Sequence, residues 1–351
     1  MKTIDSHTHV HAFYDKNGKS CIEWAREYAE QHCDAVNVCA ISHGASSGGK
    51  YSAVENIRAA LMKLHVKGLF AYGGIVHPSP WPTSGDFDAL TQYRELMEIG
   101  FDGLKSLENK PSSIPVVGMP ICDPFYDPFY AEAEREGTHM IWHVADPPVY
   151  WKPEYLSYGN PAWYCGGGRC IPFEEILARV FNVLDRYPRL HITFAHFFFL
   201  SDQMEVLERL FEKYPNISLD ITPGTEMYTA FDGDRARARD FLVRHADRIF
   251  FGTDCGFGGD LEQYNDILFR AVRDFVLTDE VVDNIWGVKV RGLALSEEAA
   301  SKILSGNFAR YHETPKPIST TALAEYAEKY LPTVESAEQR KEASAFLERY
   351  L

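Results

Sequence analysis

The sequence predicts an α/β fold, a (β/α)8 TIM barrel with an aromatic-rich insertion after the fifth strand and a helical tail at its C-terminus. Three observations lead there. Apolar runs of strand length alternate with helix-length amphipathic stretches at a nearly regular beat. Each strand is followed by a helix, the crossover that a parallel sheet needs, and eight such units are enough to close a barrel. An open doubly wound sheet would place a glycine-rich phosphate loop behind an early strand, and none follows Ile4 or Ile41.

In chain order, the first strand covers Thr3–His9 and its helix Ile22–His32. Ala35–Ile41 follows, with Val36 and Val38 alternating around Asn37, and then the helix Ala53–His65. The third and fourth units pair Leu69–Val76 with Phe87–Ile99 and Phe101–Leu107 with Pro128–Glu136. The fifth strand, His139–Ala145, leads into the insertion Pro147–Pro172, which carries Tyr150, Trp151, Tyr155, Tyr158, Trp163, Tyr164 and the run Gly166-Gly167-Gly168-Arg169. Long loops at a barrel rim usually serve function, so this one reads as a flap over the mouth or a subunit contact. The helix Phe173–Tyr187 follows the insertion. The last units are Leu190–Phe198 with Gln203–Tyr214, Ile217–Ile221 with Asp234–His245, and Arg248–Thr253 with Gln263–Phe275. Beyond Tyr311 come Pro315, Pro317 and polar helical segments, which divide the chain into a barrel, 1–312, and a helical extension packed outside it, 313–351.

Composition bounds the function. The 351 residues are 45% hydrophobic and 24% charged, as in a soluble globular protein. A net charge of −15 repels a phosphate backbone, so nucleic acid is not an expected partner. No apolar run approaches the ~18 residues that span a bilayer, and the N-terminus has no signal-peptide pattern, so no membrane partner is expected either. The seven Cys are odd in number, without a CxxC pair, and read as reduced thiols of a cytoplasmic protein. Cys165 and Cys170 lie across the glycine run from one another, but that context predicts that they stay reduced. The expected partners are a small-molecule substrate and a second copy of the chain in a homodimer.

A barrel places its chemistry at the C-terminal ends of its strands. Read in order, the first strand ends Asp5-Ser6-His7-Thr8-His9, which puts His7 and His9 on one strand face. The fourth carries Lys105 and Glu108, the fifth ends at His143, the sixth at His196, and the eighth at Asp254. A lone histidine on an apolar strand is usually a hydrogen-bonded core residue, and a lone Asp after Gly-Thr a helix cap. Four imidazoles and a carboxylate converging on one rim are a different matter, because burying them together is costly without a divalent ion.

This arrangement resembles the amidohydrolase superfamily, and most closely its amidohydrolase-related branch of metal-dependent hydrolases and aminocarboxymuconate-semialdehyde and resorcylate-type decarboxylases. The similarity in order and spacing runs from Thr3 to Tyr311, and Ile303-Leu304-Ser305-Gly306-Asn307-Phe308-Ala309 resembles the closing helix of that branch. The resemblance implies His7, His9, His143 and Asp254 as ligands of one divalent ion, usually zinc, with His196 beside the bound water. Manganese also suits such His/Asp donors. In binuclear members a carbamylated lysine on the fourth strand bridges two ions. Lys105 stands on that strand and reads instead as an amine that grips an anionic substrate, with a pairing to Glu108 as the structural alternative.

Such an ion keeps an open position and brings the pKa of a water there towards ~7. Asp254 would take the water's proton, and His196 would stabilise the developing oxyanion or return a proton to the leaving group. These catalytic parts hydrolyse an amide, lactone or ester. They equally serve a non-oxidative decarboxylase of an aromatic or unsaturated acid, with Asp254 protonating the carbon that loses CO2. A third reading is a non-catalytic, metal-stabilised binding protein. Arg169 in its glycine run suits a bidentate clamp on a carboxylate, and His77 at the end of the third strand is a further candidate for substrate contact, as is Asp220. Trp81, Trp151 and Trp163 suit a planar or aromatic acid, and Lys105 with Arg169 favours an anionic substrate.

Overall fold

Parallel pairing runs unbroken from β8 (Ile249–Phe250) through β7 (Ile217–Asp220), β6 (His191–Phe194), β5 (His139–Trp142), β4 (Gly103–Ser106), β3 (Leu69–Gly73) and β2 (Ala35–Cys39) to β1 (Ile4–Val10). A short β9 (Gly256–Phe257) lies on the far side of β1. This computed structural model describes residues 1–42, 52–77, 88–259, 264–285 and 287–351. β9 continues the path of β8 after a turn at Asp254, so the two ends of the sheet are one stretch of chain. Ser6 N–H donates to the Phe251 carbonyl at 3.1 Å and Asp254 N–H to the His7 carbonyl at 2.9 Å, which closes the barrel.

β1 is buried along its whole length, as a parallel strand covered on both faces must be. The crossover helices bury one stripe each: Phe173–Arg186 covers Phe173, Ile176, Val180, Val183 and Leu184. The helix Cys21–His32 starts at a capping box in which Ser20 and Glu23 satisfy each other's backbone donors.

Several elements depart from expectation. The sixth strand stops at Phe194 rather than Phe198, because the chain turns left-handed at His196, Phe197, Phe198 and Phe199, with φ between 53° and 59°. A helix Thr225–Gly233 precedes the expected one, and an antiparallel hairpin of β10 (Val281–Ile285) and β11 (Val288–Arg291) follows the helix Asn265–Leu277. Trp81 and the first residues of the helices expected at Phe87 and Gln263 lie outside the described residues.

The insertion is a chain of short 3-10 turns, Pro148–Trp151, Pro153–Ser157 and Pro161–Trp163. Here one expectation is overturned: Cys165 and Cys170 are joined in a disulfide. Gly167 and Gly168 take positive φ, a conformation open to glycine at little cost, and fold the segment back until the two Cα atoms are 4.9 Å apart. Cys21, Cys33, Cys39, Cys122 and Cys255 are free thiols. Cysteine usage therefore no longer argues for a reducing compartment. No described helix is long and apolar enough to cross a membrane.

The C-terminal helices Thr320–Tyr330 and Ala337–Tyr350 lie against the outside of the barrel. Asn56 donates to the Tyr326 hydroxyl at 2.8 Å, and the Phe346 ring sits 4.5 Å from that of Phe13. The N-terminal end of the barrel is plugged by Phe308 and Tyr311, the latter stacked 4.3 Å from His139.

Candidate metal centre and substrate cavity

Period-2 geometry on β1 sends both His7 and His9 into the barrel mouth, and each ring is fixed by a partner on its Nδ1 side. His7 Nδ1 lies 2.8 Å from the Asp220 carboxylate at the end of β7, with Thr222 Oγ1 at 3.1 Å. His9 Nδ1 lies 2.8 Å from the Cys39 carbonyl at the end of β2. A carbonyl only accepts, so Nδ1 of His9 carries a proton and Nε2 is the nitrogen left to face the rest of the site. It lies 3.0 Å from Asp254 Oδ1. That contact calls for a cation or a second ring proton between the two atoms.

Asp254 is held there by the turn that ends β8, its φ of 62° being one of the few left-handed non-glycine conformations in the chain. Burial alone would raise its pKa. The hydrogen bond from His9 and the nearby imidazoles of His9, His196 and His7 outweigh that and hold the carboxyl well below its ordinary range. The rings behave oppositely. Burial, reinforced by Lys105, lowers His7 well below the usual imidazole value. Burial with Lys110 does the same to His143, and burial brings His196 to about 4 against the pull of Asp254 and Asp220. Neutral imidazoles beside an ionised carboxylate are the protonation states that metal ligation requires. Donor atoms of His7, His9 and Asp254 all lie within 4.8 Å of one another, so these residues fit a divalent ion.

His143 and His196 stand beside this trio, their ring centroids 4.8 Å apart and that of His196 5.9 Å from His7. Asp220 Oδ1 also accepts the His196 backbone N–H at 2.8 Å, while the His196 ring has its own partner, Nδ1 lying 3.2 Å from the Thr222 carbonyl. His143 is outside the cluster of metal-competent donors. Its Nε2 lies 2.9 Å from Lys110 Nζ, and Lys110 also forms an ion pair with Asp146.

In front of these groups opens a cavity of about 520 Å³. His143, His196 and Asp254 form one end. Lys110, Asp146, Tyr150 and Phe199 line the wall, and Trp163, Tyr164 and the Cys165–Cys170 pair bring the insertion into it. The insertion is thus a wall of the cavity, which is the flap arrangement. The other expected residues lie elsewhere. Lys105 is buried and outside the cavity lining, with Nζ 2.6 Å from His7 Nε2, and does not pair with Glu108, whose carboxylate is bound by Ser106 Oγ and the Leu107 N–H. His77 is buried 3.3 Å from the Tyr126 hydroxyl, away from the cavity lining. Arg169 is exposed, donates to the Pro161 carbonyl at 3.1 Å and lies over the Tyr164 ring.

Lys110 and Asp146 were not among the residues expected. Both lie just past strand ends, in loops with no periodicity to mark direction, although Asp146 stands three residues beyond His143.

The amidohydrolase family model matches residues 4–311. No curated protein matches the chain. Among solved structures, 2,6-dihydroxybenzoate decarboxylase from Rhizobium superposes with a TM-score of 0.54 at 14% identity, over 89% of this chain and 99% of its own. An uncharacterized TIM-barrel protein from Bordetella bronchiseptica gives 0.52 at 18% identity, over 89% and 98%. A probable 2-pyrone-4,6-dicarboxylic acid hydrolase from Acinetobacter baumannii, with citric acid bound, gives 0.50 at 10% identity, over 89% and 99%. At these identities the likeness is one of fold.

Proposed function

The chain belongs to the amidohydrolase family, and from that premise we propose that it is a metal-dependent hydrolase that cleaves an amide, lactone or ester bond in a small anionic substrate. The observation that carries the reading is the placement of Asp254, whose carboxylate borders the cavity and also lies 3.0 Å from His9 Nε2. His7, His9 and Asp254 would hold one divalent ion, zinc by our reading, with His143 as the fourth ligand implied by family resemblance. The ion, when bound, supplies a water acidified to near neutrality and an electrophile for a carbonyl oxygen.

The chain's own residues do the rest. Asp254 accepts the proton of the attacking water. His196, buried and facing the cavity with Nδ1 turned to the Thr222 carbonyl, takes that proton from Asp254 on Nε2 and passes it to the leaving group. Asp220 holds the His7 ring and anchors the backbone of His196. Tyr150, Phe199 and the insertion keep bulk water from the reacting atoms.

A second reading, non-oxidative decarboxylation of an aromatic acid, uses the same groups and is favoured by the aromatic wall of the cavity. There Asp254 would pass a proton taken from water to the ring carbon as its bond to the carboxylate breaks and CO2 leaves. Turnover in 18O-water separates the two: hydrolysis places one label in the product acid, whereas CO2 release without label incorporation overturns the hydrolase in favour of the lyase. Elemental analysis is the companion test. One equivalent of metal per chain, lost in His7→Ala, is expected; two would bring Lys105 into the ligand set, and none after reconstitution removes the premise.

A further inference from the structure

Among the described residues that line the cavity, one side chain is a fixed cation, Lys110. It stands on the turn after β4, where Lys110 N–H donates to the Leu107 carbonyl at 2.9 Å and the Lys110 carbonyl accepts from Ser113 N–H at 2.8 Å. The backbone under it is therefore fixed. Its ammonium is partly exposed, 24% for the side chain, and meets the Asp146 carboxylate and His143 Nε2. Two of its three protons are directed at these partners, and the third is available to a ligand. Neither other candidate cation is placed to meet a substrate here, since Lys105 is buried outside the cavity lining against His7 Nε2 and Arg169 is turned to the Pro161 carbonyl.

We propose that Lys110 is the specificity-determining residue of the cavity, donating to a single carboxylate on an aromatic substrate, with Asp146 holding the amine aimed. This rests on the reading of the cavity as the substrate site. The ring belongs against Tyr150, Trp163 and Phe199, and the carboxylate against Lys110. A single ammonium paired with Asp146 selects one anionic group and rejects a polyanion, because further negative charge would meet Asp146 and the other carboxylate of the cavity lining, Asp254.

The test is calorimetric titration of the metal-loaded protein with benzoate, with its neutral isostere benzamide and with the dianion phthalate. Metal content and thermal midpoint are measured on the same samples. Wild type is expected to bind benzoate more tightly than either comparison ligand. Lys110→Met should lose about 10- to 100-fold in benzoate affinity, the size of a charge-assisted hydrogen bond, with benzamide affinity and metal content unchanged. Lys110→Arg should keep most of the preference, and it stands as the folded comparison if the methionine variant is unstable. The proposal is overturned if Lys110→Met still prefers benzoate. It is also overturned if that variant loses metal together with benzoate, which would make Lys110 a support for His143, or if wild type does not discriminate. A wild type that discriminates yet performs neither chemistry would sink the hydrolase reading and leave the Lys110 assignment standing.

Discussion

His7 is gripped at both ring nitrogens, by Asp220 on Nδ1 and by Lys105 on Nε2, and all three side chains are buried. The carboxylate fixes ring orientation and tautomer and makes Nε2 the more basic nitrogen, the standard effect of a carboxylate behind a ligating imidazole. Asp220→Asn keeps the shape of that contact and removes the charge. Metal affinity is expected to fall about 10- to 100-fold, read by competition with a chromophoric chelator, with the thermal midpoint of the metal-free protein little changed. An unchanged affinity would mean that Asp220 only fills space. The histidines and Asp254 were legible in the sequence because each stands at the end of a strand, where a two-residue period and a barrel's polarity together fix direction. Asp220 was visible as a strand residue, yet its grip on the His7 ring depends on β7 lying across from β1, which no local pattern states. Lys110 lay beyond such reasoning altogether. Its direction is set by a turn, and the more conspicuous Arg169, singled out by its glycines, faces solvent.

The left-handed turn after β6 shows why an element can end earlier than its hydrophobicity suggests. Leu190–Phe198 reads as one apolar strand, but His196 to Phe199 all have positive φ, at a cost of roughly 1–2 kcal/mol each. Burial offsets it. Phe197, Phe198 and Phe199 are all buried, Phe198 stacked 4.0 Å from Phe194 and Phe197 packed on Phe231 and Phe241. Each buried ring contributes about 1.5–3 kcal/mol, so the two terms are of similar size. The consequence is an inverted glycine rule. Phe197→Ala and Phe197→Gly both lose the ring, at about 3–5 kcal/mol, but glycine alone relieves the backbone. Phe197→Gly is therefore expected to be the less destabilised variant by about 1–2 kcal/mol in urea melts, the reverse of the order inside an ordinary helix or strand. The insertion is the other element whose behaviour follows from its covalent plan. Its disulfide closes a short loop between residues five apart in sequence, at the edge of the cavity and away from the barrel interior. The double variant Cys165→Ser/Cys170→Ser should be cut faster by protease within 147–172 while the barrel's melting midpoint stays within about 2 °C of wild type, because a local opening exposes little of the core. A large drop in the midpoint would show that the insertion folds with the barrel.

At the scale of the whole molecule, the end of the barrel opposite the cavity is sealed by histidines that must stay neutral. Tyr72 Oη lies 2.5 Å from His139 Nδ1 and 2.6 Å from His312 Nε2, and His139 Nε2 lies 2.8 Å from Thr193 Oγ1. Thus one chain of hydrogen bonds links β3, β5, β6 and the segment that leads to the tail. The barrel itself was legible from the βα beat. This seal was not, because His139 and His312 are 173 positions apart and meet only once the barrel closes. Burial, the dominant cause, lowers the pKa of His312 to about 4 and that of His139 well below its ordinary value, with the neighbouring histidines adding to the shift at His139. Both rings regain an ordinary pKa near 6.5 when the chain unfolds, so between pH 6.5 and about 4 the unfolded state binds more protons than the folded one. Stability then rises with pH across that window and is lost as pH falls through it, with His312 contributing on the order of 2–3 kcal/mol. In His312→Gln the acceptor remains and the titration is gone. Its melting midpoint is expected to sit below wild type at pH 7.5 and to fall less steeply between pH 6.5 and 4.5. Parallel curves for the two proteins would mean that His312 is protonated in the folded barrel and that the seal is held by something other than neutral imidazoles.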